Sequence, residues 1–146
     1  MRLLDADILA YTLYEMSPAH PEAWTYLKNH VKESNKLYVT PITILETYNT
    51  LYHYYRVRPR ENILTKIKLT MEILEHIETS IHGIEVAKNM NIPLGDGFLL
   101  ATARENKIPV IVSNDQYVIN AVDKYGLINE NPISEETRIL LGDYSP

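Results

Sequence analysis

The stretch Pro109-Val110-Ile111-Val112-Ser113-Asn114-Asp115 carries the clearest strand signal in the chain. Three successive β-branched apolar residues are typical of a short strand buried on both faces, as in a parallel sheet covered by helices. An acid, Asp115, follows this strand almost at once. The segment therefore predicts a buried strand of an α/β protein with a carboxylate at its carboxyl end.

Apolar runs and breakers alternate outward from this segment in the order strand then helix, which predicts a parallel sheet. The predicted strands cover residues 2–4, 37–40, 77–81, 109–113 and 127–129. The predicted helices cover residues 8–14, 21–32, 43–55, a segment starting at 59, 83–89, 94–106, 115–125 and 134–142. We expect an α/β fold on these grounds.

Length and composition indicate one compact domain, residues 1–146, with about 143–146 as a flexible tail. A chain of 146 residues with 45% hydrophobic content can bury its own core. No run approaches the roughly 20 apolar residues of a membrane span, and no secretory segment opens the chain. Cysteine is absent, which excludes disulfides, zinc-thiolate sites and thiol catalysis. We expect a cytoplasmic protein.

Four acids far apart in the chain fall where an open α/β sheet would bring them to one edge: Asp5, Glu46, Asp96 and Asp115. Asp5 and Asp115 each follow a predicted strand, and ligands of open α/β sheets bind at the carboxyl ends of strands. Clustered carboxylates repel one another, so a hard divalent cation is the natural reason to collect them. The pattern predicts a metal-dependent phosphodiesterase site.

The formal net charge of -5 is unfavourable for binding nucleic acid, but the charges are unevenly distributed. Residues 53–68 carry five cations and a single acid, and they follow a tyrosine-rich run. A solvated helix face and an RNA-contacting patch explain this segment equally well. The arginines in question, which are candidate RNA contacts, are Arg56, Arg58 and Arg60.

Four segments together resemble the PIN-domain nucleases, including the toxins of VapBC-type toxin-antitoxin pairs. The segments are Arg2-Leu3-Leu4-Asp5-Ala6-Asp7-Ile8-Leu9, Thr43-Ile44-Leu45-Glu46, Asp96-Gly97-Phe98-Leu99-Leu100-Ala101-Thr102-Ala103 and Pro109-Val110-Ile111-Val112-Ser113-Asn114-Asp115. They are similar to the family's strand ending in a metal-binding Asp, its helix-borne Glu, its Asp-plus-helix segment and its strand ending in Ser/Thr-x-Asp. The resemblance runs nearly the whole chain.

The resemblance implies a three-layer α/β/α sandwich with a five-stranded parallel sheet. It also implies single-strand ribonuclease chemistry with Mg²⁺ or Mn²⁺, a homodimer and, for a toxin, a cognate antitoxin protein that covers the site. The expected protein is an endoribonuclease of the VapC type.

The expected roles follow from the preference of Mg²⁺ for oxygen ligands and retained waters. Asp5, Asp96 and Asp115 are the expected ligands, direct or through water. Glu46 would hold a metal or orient the attacking water. Ser113 would fix Asp115 or a water at the ion through its hydroxyl. Asp7 and Asn114 are secondary candidates.

Three alternatives remain open from the sequence. The same site would serve an RNA-processing nuclease outside a toxin pair, or the fold could bind RNA or protein without cutting. A haloacid-dehalogenase-type phosphatase would use Asp5 and Asp7 as nucleophile and acid, with Ser113 and Asp96 in its later motifs. The order of segments opposes this last alternative, because its Gly-Asp loop should follow the Ser/Thr strand, whereas here it precedes it.

Overall fold

The computed structural model describes residues 1–141, so the predicted helix end at Gly142 and the predicted tail at 143–146 lie outside the described residues. The strands are β1 (Arg2–Leu4), β2 (Leu37–Val39), β3 (Glu75–His76), β4 (Val110–Val112) and β5 (Ile128–Glu130). The helices are α1 (Ala6–Leu13), α2 (His20–Lys32), α3 (Pro41–Asn49), α4 (Arg60–Met71), α5 (Gly83–Met90), α6 (Leu94–Glu105), α7 (Gln116–Ala121) and α8 (Glu135–Leu140). A π-helix (Thr50–Tyr54) follows α3, and a 3-10 helix (Val122–Tyr125) follows α7.

The strands form one parallel five-stranded sheet in the order β3-β2-β1-β4-β5. The central strand β1 pairs with β2 on one side and with β4 on the other. The chain winds outward through β2 and β3 and then returns to β1 to add β4 and β5. The winding direction therefore reverses between β1 and β4, which creates a topological switch point at the carboxyl ends of these two strands.

Helices cover both faces of the sheet, which confirms the predicted three-layer sandwich. Successive strand residues point to opposite faces, and Leu3 and Leu4 belong to two different buried clusters. Leu4 packs in the cluster that contains Leu27 of α2, whereas Leu3 packs in the cluster that contains Leu100 of α6. Both strand residues are fully buried, as expected for a parallel sheet sandwiched between helices.

The predicted third strand at residues 77–81 is wrong, because β3 lies earlier and is only two residues long. Its partner β2 ends at Val39, where Thr40 and Pro41 begin a helix, so the ladder has no room to continue. The N–H of Ile77 makes a last hydrogen bond to the Val39 carbonyl at 3.1 Å. Beyond it the chain leaves the sheet, and Ile81 is 66% exposed.

The helix predicted at residues 43–55 is longer at its start and changes form at its end. Thr40 caps α3 by accepting the N–H of Thr43, and Pro41 occupies the first helical turn, where its missing N–H removes no hydrogen bond. From Thr50 the helix widens into the π-helix, a form that is common at functional sites. The predicted helix to residue 125 likewise ends as α7 followed by the tighter 3-10 turn.

Two glycines allow α5 and α6 to pack in direct backbone contact. A Cβ on Gly97 would lie 2.4 Å from the Gly83 carbonyl oxygen, and one on Gly83 would lie 2.4 Å from the Cα of Phe98. Any side chain at either position would push the helices apart. This close packing fixes the position of the first turn of α6, which carries Asp96.

Within residues 1–141, no helix combines the length and the apolar character that a membrane crossing requires.

Candidate active site

Asp5 and Asp115 stand at the switch point between β1 and β4. Asp5 directly follows β1 and caps α1, accepting the N–H of Ala6 at 2.7 Å. Asp115 follows β4 and caps α7, accepting the N–H of Tyr117 at 2.9 Å. Because β1 and β4 are adjacent and parallel, the two carboxylates emerge side by side at one edge of the sheet.

Asp96 and Glu46 reach the same edge from helices. Helix α6 precedes β4 and runs antiparallel to it, so its first turn, with Asp96, lies over the carboxyl ends of the strands. Helix α3 begins at this edge after β2 and carries Glu46 in its second turn. All four predicted acids therefore converge, although they come from four separate segments.

The three aspartates form a compact ligand set. One carboxylate oxygen from each of Asp5, Asp96 and Asp115 lies within 4.8 Å of the others. They open into a small cleft of about 70 Å³, large enough for a cation with a few waters. The residues lining the cleft are Asp5, Ala6, Asp7, Glu46, Thr50, Pro93, Asp96 and Asp115.

Ser113 links two of the acids from behind the cleft. Its hydroxyl donates to Oδ2 of Asp5 at 2.6 Å and accepts the backbone N–H of Asp115 at 2.9 Å. Ser113 is completely buried and does not belong to the cleft lining. Its contacts support the predicted role of orienting Asp115 and extend that role to Asp5.

Ser113→Ala is expected to lower the free energy of unfolding by about 1–3 kcal/mol, because Asp5 loses a buried donor and the Asp115 N–H loses its acceptor. Mn²⁺ affinity should fall about tenfold, as it does when groups that orient metal ligands are removed. Urea unfolding and calorimetric Mn²⁺ titration measure both effects. Ser17→Ala is the matched control, since Ser17 is also buried and accepts a backbone N–H at 3.1 Å, but remote from the acids. Equal Mn²⁺ affinity in the Ser113 and Ser17 variants would contradict this role.

The two secondary candidates occupy different places. Asp7 is buried and lines the cleft, where its two oxygens accept the N–H groups of Ile8 at 2.7 Å and Asn114 at 2.9 Å. Asn114 lies behind the cleft, with its side chain between the hydroxyl of Tyr11 and the amide of Asn131. Asp7 thus connects the first turn of α1 to the loop after β4.

Gly95 makes room for the carboxylate of Glu46. A Cβ at position 95 would lie 2.2 Å from Oε2 of Glu46, much closer than any van der Waals contact. The Glu46 carboxylate therefore rests directly on the first turn of α6, next to Asp96. The positive end of a helix dipole is a favourable place for a carboxylate.

Burial and mutual repulsion raise the pKa values of the cleft acids. Burial is the largest cause for Asp96, whose pKa rises to about 9, and the charges of Asp5 and Asp115 add to it. The same causes raise the pKa of Glu46 to about 7. For Asp5, burial raises the pKa to about 6 although the Ser113 hydrogen bond opposes it. Burial, followed by the Asp5 charge, places the pKa of Asp7 well above its ordinary value.

No basic side chain compensates these acids within the described part of the chain. The ion pairs found between residues 1 and 141, Arg2–Glu130 and His82–Glu105, lie elsewhere. Oδ2 of Asp96 is buried without a hydrogen-bond partner. An all-oxygen donor set, uncompensated charge and an orphaned carboxylate oxygen together fit a hard divalent cation.

The site residues predicted from the sequence did not include Gly95, Thr50 or Pro93. Thr50 was detectable, because it lies four residues after Glu46 and therefore on the same helix face. Pro93 immediately precedes α6 and had no signal other than that position. Gly95 was not detectable, since its importance depends on a contact with a residue 49 positions earlier.

The three candidate RNA-contacting arginines are not in the cleft. Arg56, Arg58 and Arg60 are all exposed, and they follow the π-helix that continues from α3. Arg56 has a left-handed backbone conformation, with φ at 57°, and reverses the chain at this point.

The geometry defines a class: a parallel α/β/α protein whose site is an acidic cleft at the switch point of its sheet. Residues 2–125 match the family profile of the PIN domain, and the match includes all four acids. The chain belongs to the PIN-domain family, whose members are generally nucleases that use divalent metals. The predicted family is confirmed.

Solved structures with the same fold include PAE2754 from Pyrobaculum aerophilum, at 18% identity and a TM-score of 0.65, covering 96% of this chain and 85% of that one. VapBC2 from Rickettsia felis, bound to a DNA fragment from its promoter, also has 18% identity and a TM-score of 0.65, and the match covers 89% of this chain and 97% of that one. VapC20 from Mycobacterium tuberculosis, a sarcin-ricin loop cleaving toxin, has 12% identity and a TM-score of 0.62. The match covers 83% of this chain and 95% of that one. No curated protein sequence matches the chain.

Proposed function

We propose that this protein is a divalent-metal-dependent endoribonuclease and the toxin of a VapBC-type toxin-antitoxin pair. The observation that carries the proposal is the set of three aspartates, with ligand atoms within 4.8 Å of one another and no basic partner among the described residues. Such a set is unfavourable without a cation, so its presence in a PIN-domain protein supports metal-dependent phosphodiester chemistry.

Asp5, Asp96 and Asp115 would hold the metal, with Glu46 as an additional ligand or as the group that orients the attacking water. Mg²⁺ and Mn²⁺ both suit oxygen ligands. When bound, either ion would neutralise developing charge on the phosphate and favour ionisation of the attacking water.

The protein's own residues hold this arrangement before substrate arrives. Ser113 fixes Asp5 and the backbone of Asp115, and Asp7 holds the Asn114 N–H. Glu46 lines the cleft with its carboxylate against the first turn of α6, a position from which it could orient the attacking water or accept its proton. Such pre-organisation lowers the reorganisation needed in the transition state.

The assignment to a toxin pair is supported by the similarity in fold to VapBC2 and VapC20. VapC20 is described as a toxin that cleaves the sarcin-ricin loop, and this supports RNA as the substrate class that we propose. We further propose a cytoplasmic homodimer that is inhibited by a cognate antitoxin. An RNA-processing nuclease outside a toxin pair would have the same chemistry, and an antitoxin partner distinguishes the two.

The decisive test is incubation of the purified protein with end-labelled structured RNA and Mn²⁺ or Mg²⁺. We expect metal-dependent cleavage that EDTA and Asp5→Asn both abolish. Asp123→Asn, at an exposed aspartate in the 3-10 helix, is the control and should cleave like the wild type. Absence of cleavage with either metal across a panel of cellular RNAs would remove the nuclease assignment and favour a PIN-like binding domain.

A further inference from the structure

A second feature of the molecule is a row of side chains in which two stacked tyrosine rings lie between two arginines, along α3, the π-helix and the start of α4. We call it the arginine-tyrosine ladder, and its members are Arg58, Tyr52, Tyr48 and Arg60. The two tyrosine rings stack nearly parallel, with centroids 5.6 Å apart and an angle of 10° between planes. Arg58 stacks closely on the Tyr52 ring, and Arg60 lies near the Tyr48 ring, where it contacts the hydroxyl group.

Arg58 is fixed more firmly than an exposed arginine usually is. Its guanidinium carbon lies 3.8 Å from the centroid of the Tyr52 ring. One terminal nitrogen, Nη1, donates to the carbonyls of Tyr52 and Val57, both at 2.9 Å. The stacked guanidinium keeps its remaining N–H donors for other partners, since an arginine has five.

Arg60 is held in a similar way at the other end of the ladder. Its Nε donates to the hydroxyl of Tyr48 at 2.9 Å, and its guanidinium carbon lies 5.7 Å from that ring. Tyr48 thus positions the guanidinium group through Nε, and the two terminal nitrogens keep their N–H donors for other partners. Pre-organised guanidinium groups lose less side-chain entropy when they bind an anion.

Neither arginine has a carboxylate partner within residues 1–141, although the whole chain has a net charge of -5. The two described ion pairs involve other cations. Both arginines are held by aromatic rings and neutral oxygens, so their positive charges remain uncompensated. Guanidinium groups in this state bind phosphates through paired N–H donors.

The ladder lies across the helix from the acidic cleft. Glu46 and Thr50 line the cleft, whereas Tyr48 and Tyr52 each lie two residues further on and therefore about half a turn around the helix. A helix is about 10–12 Å wide with its side chains, so a strand with one phosphate in the cleft has to pass around this helix, over several nucleotides, to reach the ladder. The cleft itself contains no basic lining residue, so contacts to flanking phosphates have to come from outside it.

We propose that the arginine-tyrosine ladder binds the backbone of single-stranded RNA a few nucleotides from the scissile bond. The proposal rests on the function proposed above, because it names the part of the substrate that this site would hold outside the cleft. Contacts of this kind add affinity for longer strands and do not depend on base identity. The ladder would therefore determine how the affinity for RNA depends on strand length and salt concentration, while the carboxylates determine the cleavage rate.

The test measures binding separately from cleavage, in an Asp96→Asn background with Mg²⁺ present. Fluorescence anisotropy with labelled oligoribonucleotides of about 4 and about 12 nucleotides covers the usual range of single-strand sites. Arg58→Gln and Arg60→Gln should each weaken binding of the longer strand about fivefold. Each should also reduce the steepness of the plot of log affinity against log salt concentration, the salt slope, by about 0.7. Binding of the shorter strand should change less than twofold.

Arg104→Gln is the matched control, since Arg104 is also exposed and stacked on a tyrosine, at 5.6 Å from Tyr125. It lies in the last turn of α6, away from the acids at the first turn. Arg58→Lys keeps the charge without the planar guanidinium and should retain most of the salt slope. Circular dichroism establishes that each variant is folded.

The outcomes separate this proposal from the nuclease assignment. Length-dependent loss in the Arg58 and Arg60 variants, absent in Arg104→Gln, supports the ladder even if the wild type cleaves no RNA. Cleavage by the wild type with unchanged affinity in both ladder variants overturns the ladder and leaves the nuclease standing. Equal losses in all three variants, or binding of a protein partner but not RNA through these arginines, also overturn it.

Discussion

Asp96→Asn is expected to abolish metal-dependent RNA cleavage and, at the same time, to stabilise the metal-free protein. The cleavage rate should fall at least about 100-fold, the equivalent of roughly 2.7 kcal/mol in the transition state. Asp96 contributes one of the three clustered ligand atoms, and an amide there removes a negative charge that a cation requires.

The gain in stability follows from the raised pKa of Asp96, which burial and the neighbouring acids place at about 9. The folded protein then holds a proton that the unfolded chain releases near pH 4, so folding becomes less favourable as pH rises between these values. Below about pH 4 the carboxyl is protonated in both states, and the effect vanishes. An asparagine does not ionise, so it avoids this loss of folding free energy at every pH.

We therefore expect Asp96→Asn to raise the free energy of unfolding at pH 8 in EDTA by at least about 1.4 kcal/mol, the value of one pKa unit. At pH 4 the gain should disappear. In the wild type, Mn²⁺ should stabilise the protein at pH 8 by mass action, and this stabilisation should be largely lost in the variant.

Thermal unfolding at pH 4 and pH 8, with EDTA or Mn²⁺, measures all of these effects together. Asp123→Asn again serves as control and should match the wild type in each condition. A variant that is less stable than the wild type in EDTA at pH 8 would show that Asp96 stabilises the fold. Unchanged cleavage would remove it from the site.

Gly95→Ala is expected to lower the cleavage rate about 10- to 100-fold through Glu46. The added methyl group would lie 2.2 Å from Oε2 of Glu46, so the carboxylate has to move. A displacement of about 1 Å at a catalytic group is enough for a 100-fold loss. Stability should stay within about 1 kcal/mol of the wild type, because alanine also favours the helix by about that amount.

The same substitution two residues later should instead act mainly on the stability of the fold. Gly97→Ala places a methyl group 2.4 Å from the backbone oxygen of Gly83, where no flexible side chain can yield. We expect it to lower the free energy of unfolding by about 1–3 kcal/mol, the usual range for overpacking. The pair therefore separates an effect on the site from an effect on helix packing.

A double-mutant cycle with Glu46→Ala tests whether Gly95 acts through Glu46. If it does, Gly95→Ala should reduce cleavage in the wild-type background and have little further effect once the carboxylate is gone. Cleavage rates with Mn²⁺, from quenched-flow or gel-based assays, are compared for the wild type, the two single variants and the double variant. Additive losses would contradict the contact-based explanation.

The local pattern of the sequence was sufficient for the framework of this protein. Buried strands such as Val110–Val112 are continuous apolar runs, and each is followed by a helix signal, so a parallel α/β sandwich could be predicted. Asp5 and Asp115 stand directly after such strands. Their placement at one edge followed from the general rule that parallel strands share their carboxyl side.

The tertiary structure decided the features that depend on contacts between distant residues. The sequence could not show that Ser113 would bridge to Asp5, 108 residues away. Nor could it show that Gly95 would lie under Glu46, or that pairing with the short strand β2 would limit β3 to Glu75–His76.

The physical reason is that apolar periodicity records which side of an element is buried but not which element covers it. Strand order, and with it the switch point between β1 and β4, is chosen by packing of the whole chain. The sequence by itself thus determined the elements other than β3, and the acids at their ends. Only the folded chain brought the three aspartates within 4.8 Å and left them without a basic partner among the described residues.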